Sequence, residues 1–289
     1  MSDRAAVLAL TACLVLAGPA LGDDVERGRA LFALAGGCGC HNMADGTIGS
    51  GGREIETPFG TFYGTNITPD RETGIGDWTD AEIIAAIRDG YARGKGVESP
   101  VMPYYQYAGM SDADVRALVA YLRTLPAVRR ENREADVWLP FPRLAYRAWR
   151  LLFAPRVTPP AATPEEPLAR GRYLTDHVSI CGDCHTPRDR FGAPLADLYL
   201  AGTDQGPDGN PVPNITQDPE TGLAKWRESG FLRVLQTGML PNADNVQGMM
   251  AEVVDGYGGP GYSAAPESEL RSIAKYMKSV PPIRHAVGD

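Results

Sequence analysis

Cys181-Gly182-Asp183-Cys184-His185 is the stretch on which the reading of this chain turns. At C-x-x-C-H spacing, two cysteines one helical turn apart can each form a thioether to a porphyrin vinyl group. The adjoining histidine then becomes an axial iron ligand. Upstream, Cys38-Gly39-Cys40-His41 repeats the signature with one residue fewer. The register continues beyond the motifs. Asn66-Ile67-Thr68 recurs as Asn214-Ile215-Thr216, Trp78 and Trp226 each follow that asparagine by 12 residues, and Met102 and Met250 follow those tryptophans by 24. Composition alone does not keep such intervals, so the chain reads as two copies of one haem-binding unit.

Length and charge agree with this. A chain of 289 residues has room for one to three domains, and a repeat of roughly 100 to 120 residues suffices for a small core. Haem itself supplies apolar core, so 8% aromatic residues is no deficit. A net charge of −8 and a pI near 5.1 speak against a nucleic-acid partner. Of the five cysteines, four lie in the two motifs and the fifth is Cys13, which leaves none for a structural disulfide downstream.

Residues 1–22 read as an export signal. Residues 5–21 are uncharged and mostly apolar, Arg4 precedes them, and Ala20-Leu21-Gly22 is a small-residue site that would release a chain starting at Asp23. The alternatives are an uncleaved anchor, for which 17 residues is borderline, and a lipoprotein box at Leu10-Thr11-Ala12-Cys13. Modification at Cys13 would strand the apolar Leu14–Leu21 run in the mature protein. Export to the periplasm suits haem c, which is attached outside the inner membrane.

Charge divides the rest into three. Residues 23–127 carry 9 basic and 15 acidic groups, residues 128–165 carry 7 and 4, and residues 166–289 carry 11 and 16. The proline-, arginine- and aromatic-rich middle is the connector between two domains. In the first domain Asp24 is placed to cap a helix through Gly28, Leu31 and Phe32 that stops at Gly36-Gly37. A loop over 44–77 follows, and then Thr79 and Glu82 form a capping box before Ile83, Ile84 and Ile87. A last helix runs from the Ser111 cap through Val115, Leu118, Val119 and Leu122. The second domain repeats the plan from Gly171 to Leu270, Ile273, Ala274 and Met277. The expected fold class is all-α.

Several stretches carry a family resemblance. Thr57–Tyr63 running into Thr65-Asn66-Ile67-Thr68-Pro69-Asp70, Met102-Pro103-Tyr104, Tyr121–Pro126, Leu139-Pro140-Phe141-Pro142, Cys184–Arg188 and Met250–Val254 resemble the cytochrome c subunits of bacterial periplasmic dehydrogenases of the alcohol, gluconate and nicotinate type. The resemblance implies two tandem class I cytochrome c domains. It also implies two covalently bound haem c groups and an electron-carrying role between a dehydrogenase and a downstream acceptor of the respiratory chain. Many such relatives carry a third haem or a C-terminal anchor, and neither is expected here.

The expected haem-attaching residues are Cys38, Cys40, Cys181 and Cys184, and the expected iron ligands are His41, Met102, His185 and Met250. Met250 competes with Met249 and Met239, and the 24-residue interval selects Met250. A thioether ligand stabilises Fe(II) and raises the potential, and a six-coordinate iron leaves no open position. Both features fit a relay. The rival reading is a dihaem enzyme, peroxidase-like or thiosulfate-oxidising. The first needs an open site and the second a distal cysteine, and neither is provided for.

The finer expectations concern surroundings. The resemblance implies that the Pro187 carbonyl accepts from the His185 ring. Asn66 and Asn214 lie in N-x-T sequons, but a structural role in the haem loop is the stronger reading. Trp78 and Trp226 are expected against core or haem edge, and His177 and His285 are expected exposed. Gly28 and Gly171 each precede the first cysteine by 10 within Arg-Gly-Arg segments, so the residue missing from the first motif lies between Cys38 and Cys40. One thioether through Cys40 and two thioethers both remain open there. Seven residues more than in the first repeat separate Met250 from the last helix, and a surface insertion near 255–266 would account for them. In the connector, Arg143, Arg147 and Arg150 alternate with Leu144, Tyr146, Trp149 and Phe153. Such a helix could clasp both domains with its apolar side, or dock with its arginines on an acidic partner or an anionic membrane.

Overall fold

The computed structural model describes residues 19–43, 46–207 and 209–288. The expected signal peptide lies almost wholly outside them. Helix α1 spans Pro19–Leu34. It runs through Asp24, which is therefore an interior residue and not the expected cap. At its end Gly36, Gly37 and Cys38 all take positive φ (63°, 67° and 49°), which turns the chain into the first motif.

Two small sheets depart from the all-helical expectation. β1 (Glu54–Thr57) and β2 (Gly60–Tyr63) form a hairpin within the expected loop. β3 (Tyr91–Ala92) pairs with β4 (Gly96–Val97), and β5 (Asp136–Val137) joins β2. Between them, α2 (Asp80–Ile84) starts at the predicted capping box, α3 spans Tyr104–Tyr107, and α4 spans Asp112–Leu122 with Ser111 accepting from the Asp114 N–H.

The second half is laid out likewise. α6 (Pro167–His177) leads to α7 (Cys181–His185), after the connector helix α5 (Pro142–Phe153). α8 (Glu228–Thr237), α9 (Gly248–Asp255) and α10 (Glu267–Met277) follow. Among the described residues no helix is long and apolar enough to cross a membrane.

The pairs α1·α4 and α6·α10 cross in the same way. A Cβ on Gly28 would strike the Ala117 carbonyl oxygen and Tyr121, and a Cβ on Gly171 would strike the Ser272 carbonyl oxygen and Tyr276. Only glycine allows this approach. The expected apolar positions of both last helices, Val115, Leu118, Val119 and Leu122, and Leu270, Ile273, Ala274 and Met277, are all buried. The salt bridges repeat as well. Arg27 binds Asp114 in the first turn of α4, and Arg170 binds Glu269 in the first turn of α10 at 2.7 Å. Asp114 also accepts from Tyr173 Oη (2.7 Å) and Arg170 (3.3 Å), which ties the two halves together.

The connector helix clasps both halves with the aromatic part of its apolar side: Tyr146 meets Phe62, and Trp149 and Phe153 meet Tyr105 and Phe191. Trp149 is buried, with its ring 5.3 Å from that of Tyr105 and its Nε1 donating to the Phe191 carbonyl. Arg143 and Arg150 turn inward and donate to the Lys95 and Asp89 carbonyls, flanking the β3–β4 hairpin. The clasp is thus made by Tyr146, Trp149 and Phe153 with two arginines, while the expected Leu144, with Leu151 and Leu152, faces outward.

Candidate functional site

One continuous cavity of about 2170 Å³ runs between the two halves. All eight expected site residues line it: Cys38, Cys40, His41 and Met102 from the first half, and Cys181, Cys184, His185 and Met250 from the second. Small-molecule sites usually occupy roughly 300–1,000 Å³, so the volume exceeds what one ligand fills. Trp78, Trp226, Ile75, Ile87, Leu223 and Phe231 supply apolar wall, the surface a porphyrin face requires.

The histidines are oriented by backbone. His41 Nδ1 bonds the Thr65 carbonyl at 2.8 Å, and His185 Nδ1 bonds the Pro213 carbonyl at 2.9 Å. A carbonyl can only accept, so Nδ1 carries the proton and the Nε2 lone pair is left for a metal. Burial also lowers both imidazole pKa values, which favours the neutral ligating form. The Pro187 carbonyl does not play the expected part; it accepts from Leu195 N. The carbonyl in use precedes Asn214, as that of Thr65 precedes Asn66. The repeat register therefore extends to the residues that aim the ligands.

Those asparagines explain how the carbonyls are fixed. Asn66 Nδ2 donates to Val128 O and Thr73 Oγ1, and its Oδ1 accepts from Thr68 N and Oγ1. Asn214 makes the matching set with Ile283 O, Thr221 Oγ1 and Thr216. At 2% and 1% exposure neither side chain is open to glycosylation.

The two attachment motifs differ in backbone. In the second, Ile180 takes the left-handed conformation (φ 43°) and Cys181–His185 then forms a regular turn. In the first, the left-handed residues are Gly36, Gly37 and Cys38 itself, within a 3₁₀ segment over Gly36–His41. The deletion is thus absorbed at the cysteine, a strained position for a residue bearing Cβ. Burial pushes the Cys38 and Cys181 thiols up to about 12, so both are held as neutral thiols. Cys184 is raised by burial, with smaller contributions from Asp183 and from Cys40 of the other motif.

Met250 and Met249 both line the cavity, but Met250 also packs against the main core. Met239 is 41% exposed and lies outside the cavity wall. Trp78 and Trp226 occupy cavity wall and core edge together, as expected. His177 and His285 are not the exposed side chains expected: His177 bonds the Gln106 carbonyl (2.9 Å), and His285 bonds the Ala201 carbonyl (3.1 Å) from the cavity wall.

Sequence reasoning missed the contacts that cross between repeats. Asp183, inside the second motif, accepts from Gln106 Nε2 (2.8 Å) and Tyr105 Oη (3.2 Å) of α3, just after Met102, and pairs with Arg188. Reciprocally, Glu252 of α9 pairs with Arg53 at 2.6 Å, and Arg53 lies 4.1 Å over the Tyr257 ring. Asn42 Nδ2 bonds Gly37 O and reaches the Gly256 and Tyr257 carbonyls. The expected surface insertion after Met250 is therefore packed on the first motif. Only its spacing was visible in the sequence.

Two cysteine pairs, two oriented imidazoles and two methionines thus stand around a largely apolar cavity, a donor set that would suit covalent haem c. The comparisons narrow this. The cytochrome c family matches residues 25–126. The chain is 35% identical over 269 residues to a "Diheme cytochrome c-type" of Cereibacter sphaeroides, covering 90% of this chain and 87% of that one. It is 34% identical to the cytochrome c subunit of the quinone alcohol dehydrogenase of Gluconobacter oxydans (90% of this chain, 55% of that one). It is 36% identical to the gluconate 2-dehydrogenase cytochrome c subunit of Pantoea cypripedii (90% and 62%). The chain thus spans little more than half the length of these last two relatives. It belongs to the cytochrome c family.

Proposed function

We propose that this chain is an exported, periplasmic dihaem cytochrome c that relays electrons from a partner dehydrogenase to a downstream acceptor of the respiratory chain. Two tandem class I domains, residues 23–127 and 166–289, are joined by the connector 128–165. Cys181 and Cys184 would attach one haem, and Cys38 and Cys40 the other, through one thioether or two. His41 with Met102, and His185 with Met250, would hold the two irons. Bound haem supplies a one-electron Fe(III)/Fe(II) couple. The protein's part is to orient: Thr65 and Pro213 hold the imidazoles, Asn66 and Asn214 hold those loops, and the apolar wall excludes water. The observation that carries the reading is the single cavity wall on which both Cys/His/Met sets stand. Both groups would stand on the wall of one cavity, an arrangement suited to passing electrons between them.

Intact mass is expected to show two haems, and near-infrared spectra to show thioether bands for both. A mass for one haem with Cys38 and Cys40 both alkylatable after denaturation would reduce the protein to a single-haem carrier. A high-spin ferric component would point to an enzyme. Reduction by a purified dehydrogenase of the alcohol or gluconate type tests the partner.

A further inference from the structure

Residues 137–164 contain four arginines, Arg143, Arg147, Arg150 and Arg156, and no acidic residue, within a chain of net charge −8. Their centre is α5, whose inward contacts are already satisfied: Trp149 against Tyr105, Tyr146 against Phe62 at 6.5 Å, and Arg150 over Tyr91 at 4.5 Å. On the other side, at about 100° per residue, Leu144, Ala148, Leu151 and Leu152 share one arc. Trp138 and Phe141 extend that apolar strip ahead of the helix. The five large side chains are between 67% and 80% exposed. They make up half of the ten large hydrophobics recorded as exposed among the described residues, so this is a patch and not scatter. Arg147 and Arg156 are exposed at its border and form no ion pair among the described residues.

We propose that the outer face of α5, with Trp138 and Phe141, seats this protein on the surface of an anionic lipid bilayer. A helix of 12 residues is about 18 Å long, too short to span, but suited to lie in the headgroup plane with leucines down. Arginines bordering the strip reach lipid phosphates, and exposed aromatic rings sit at headgroup depth. Charge selects this occupant: from Val137 to Pro164 the apolar strip is edged by arginines and has no acidic residue, which complements a uniformly anionic surface. A protein groove read by paired charges would be expected to meet acidic residues on this side as well. Tyr146, Trp149 and Phe153 line the cavity, and Ala148 and Leu152 of the outer arc stand at its edge, so seating α5 would hold that cavity beside the membrane.

The test is co-sedimentation of the purified holoprotein with phosphatidylcholine vesicles and with vesicles containing phosphatidylglycerol. Wild type is expected to bind the anionic vesicles preferentially and to be released by salt. The double variant Arg147→Glu/Arg156→Glu is expected to bind at least roughly tenfold more weakly. Leu144→Ser/Leu151→Ser is expected to lose a similar factor, with haem spectrum and Tm unchanged because all four side chains are exposed. Arg150 is a poor probe, since it anchors the helix. Equal vesicle binding by wild type and both variants would overturn the proposal. So would variants that lose a co-purifying protein while keeping their vesicle affinity.

Discussion

Burial in the cavity wall pushes the Glu98 carboxyl up to about 7, with Lys95 opposing more weakly. The folded state therefore holds this proton more tightly than the unfolded chain does. Its contribution to stability is full below about 4.5 and is lost as pH rises through about 7. Ionised Glu98, four residues before Met102, also adds negative charge beside the first site, which favours the more positive oxidised iron. The lower of two consequences to measure is thermal stability; the more direct is a midpoint potential that falls as pH rises through about 7. Glu98→Gln is expected to flatten that dependence for one haem, and an unchanged pH profile would refute it. The second ligand poses a sharper residue-scale choice. Met250→Ala is expected to remove half of the near-infrared thioether absorbance and lower one of two potentials. Met249→Ala should leave both, and the converse result would reassign the ligand.

At the scale of elements, the glycine crossings decide the architecture. By propensity alone, Gly28→Ala in the middle of α1 would stabilise the helix by about 1 kcal/mol. Here the added Cβ would overlap the Ala117 carbonyl oxygen, and for Gly171 that of Ser272. Backbone cannot move aside as a side chain can, so the overlap wins. Each substitution is expected to cost about 3 kcal/mol, measured by chemical denaturation, and a stabilised variant would refute the crossing. These elements were legible because local rules write them: the Thr79–Glu82 capping box, the Ser111 cap, and the 3.6-residue period of both last helices. The β1–β2 hairpin was not, since Thr57-Pro58-Phe59-Gly60 reads as loop and its strands are short. Only part of α5 was legible. Its clasp through Tyr146, Trp149 and Phe153 follows from the amphipathic pattern, but sequence cannot say that backbone carbonyls at Asp89 and Lys95 would engage two of the arginines and leave Leu144 outside.

Across the whole molecule, the repeats do not stand side by side independently. Each methionine-bearing segment is fastened to the attachment motif of the other repeat, α3 through Asp183 and α9 through Arg53 and Asn42. The repeat intervals picked out eight candidate residues that line one cavity, because each repeat keeps its own register, but contacts between repeats have no periodicity to read. Asp114 is where this union can be tested without touching the cavity. It is fully buried and takes hydrogen bonds from Arg27 of its own repeat and from Tyr173 and Arg170 of the other. Asp114→Ala leaves the Tyr173 hydroxyl, which still accepts from Ser111 N, with no acceptor for its proton, and leaves Arg170 with Glu269 alone. Removing one partner from such a buried network costs about 3 kcal/mol or more. Calorimetry of the holoprotein is expected to show that loss as a Tm lowered by roughly 10 °C. It is also expected to split one transition into two, as the halves lose their shared anchor. Asp114→Asn, which keeps an acceptor of the same shape, is expected to fall between wild type and alanine. A single transition at the wild-type temperature in Asp114→Ala would mean that the α3 and α9 contacts alone hold the halves together.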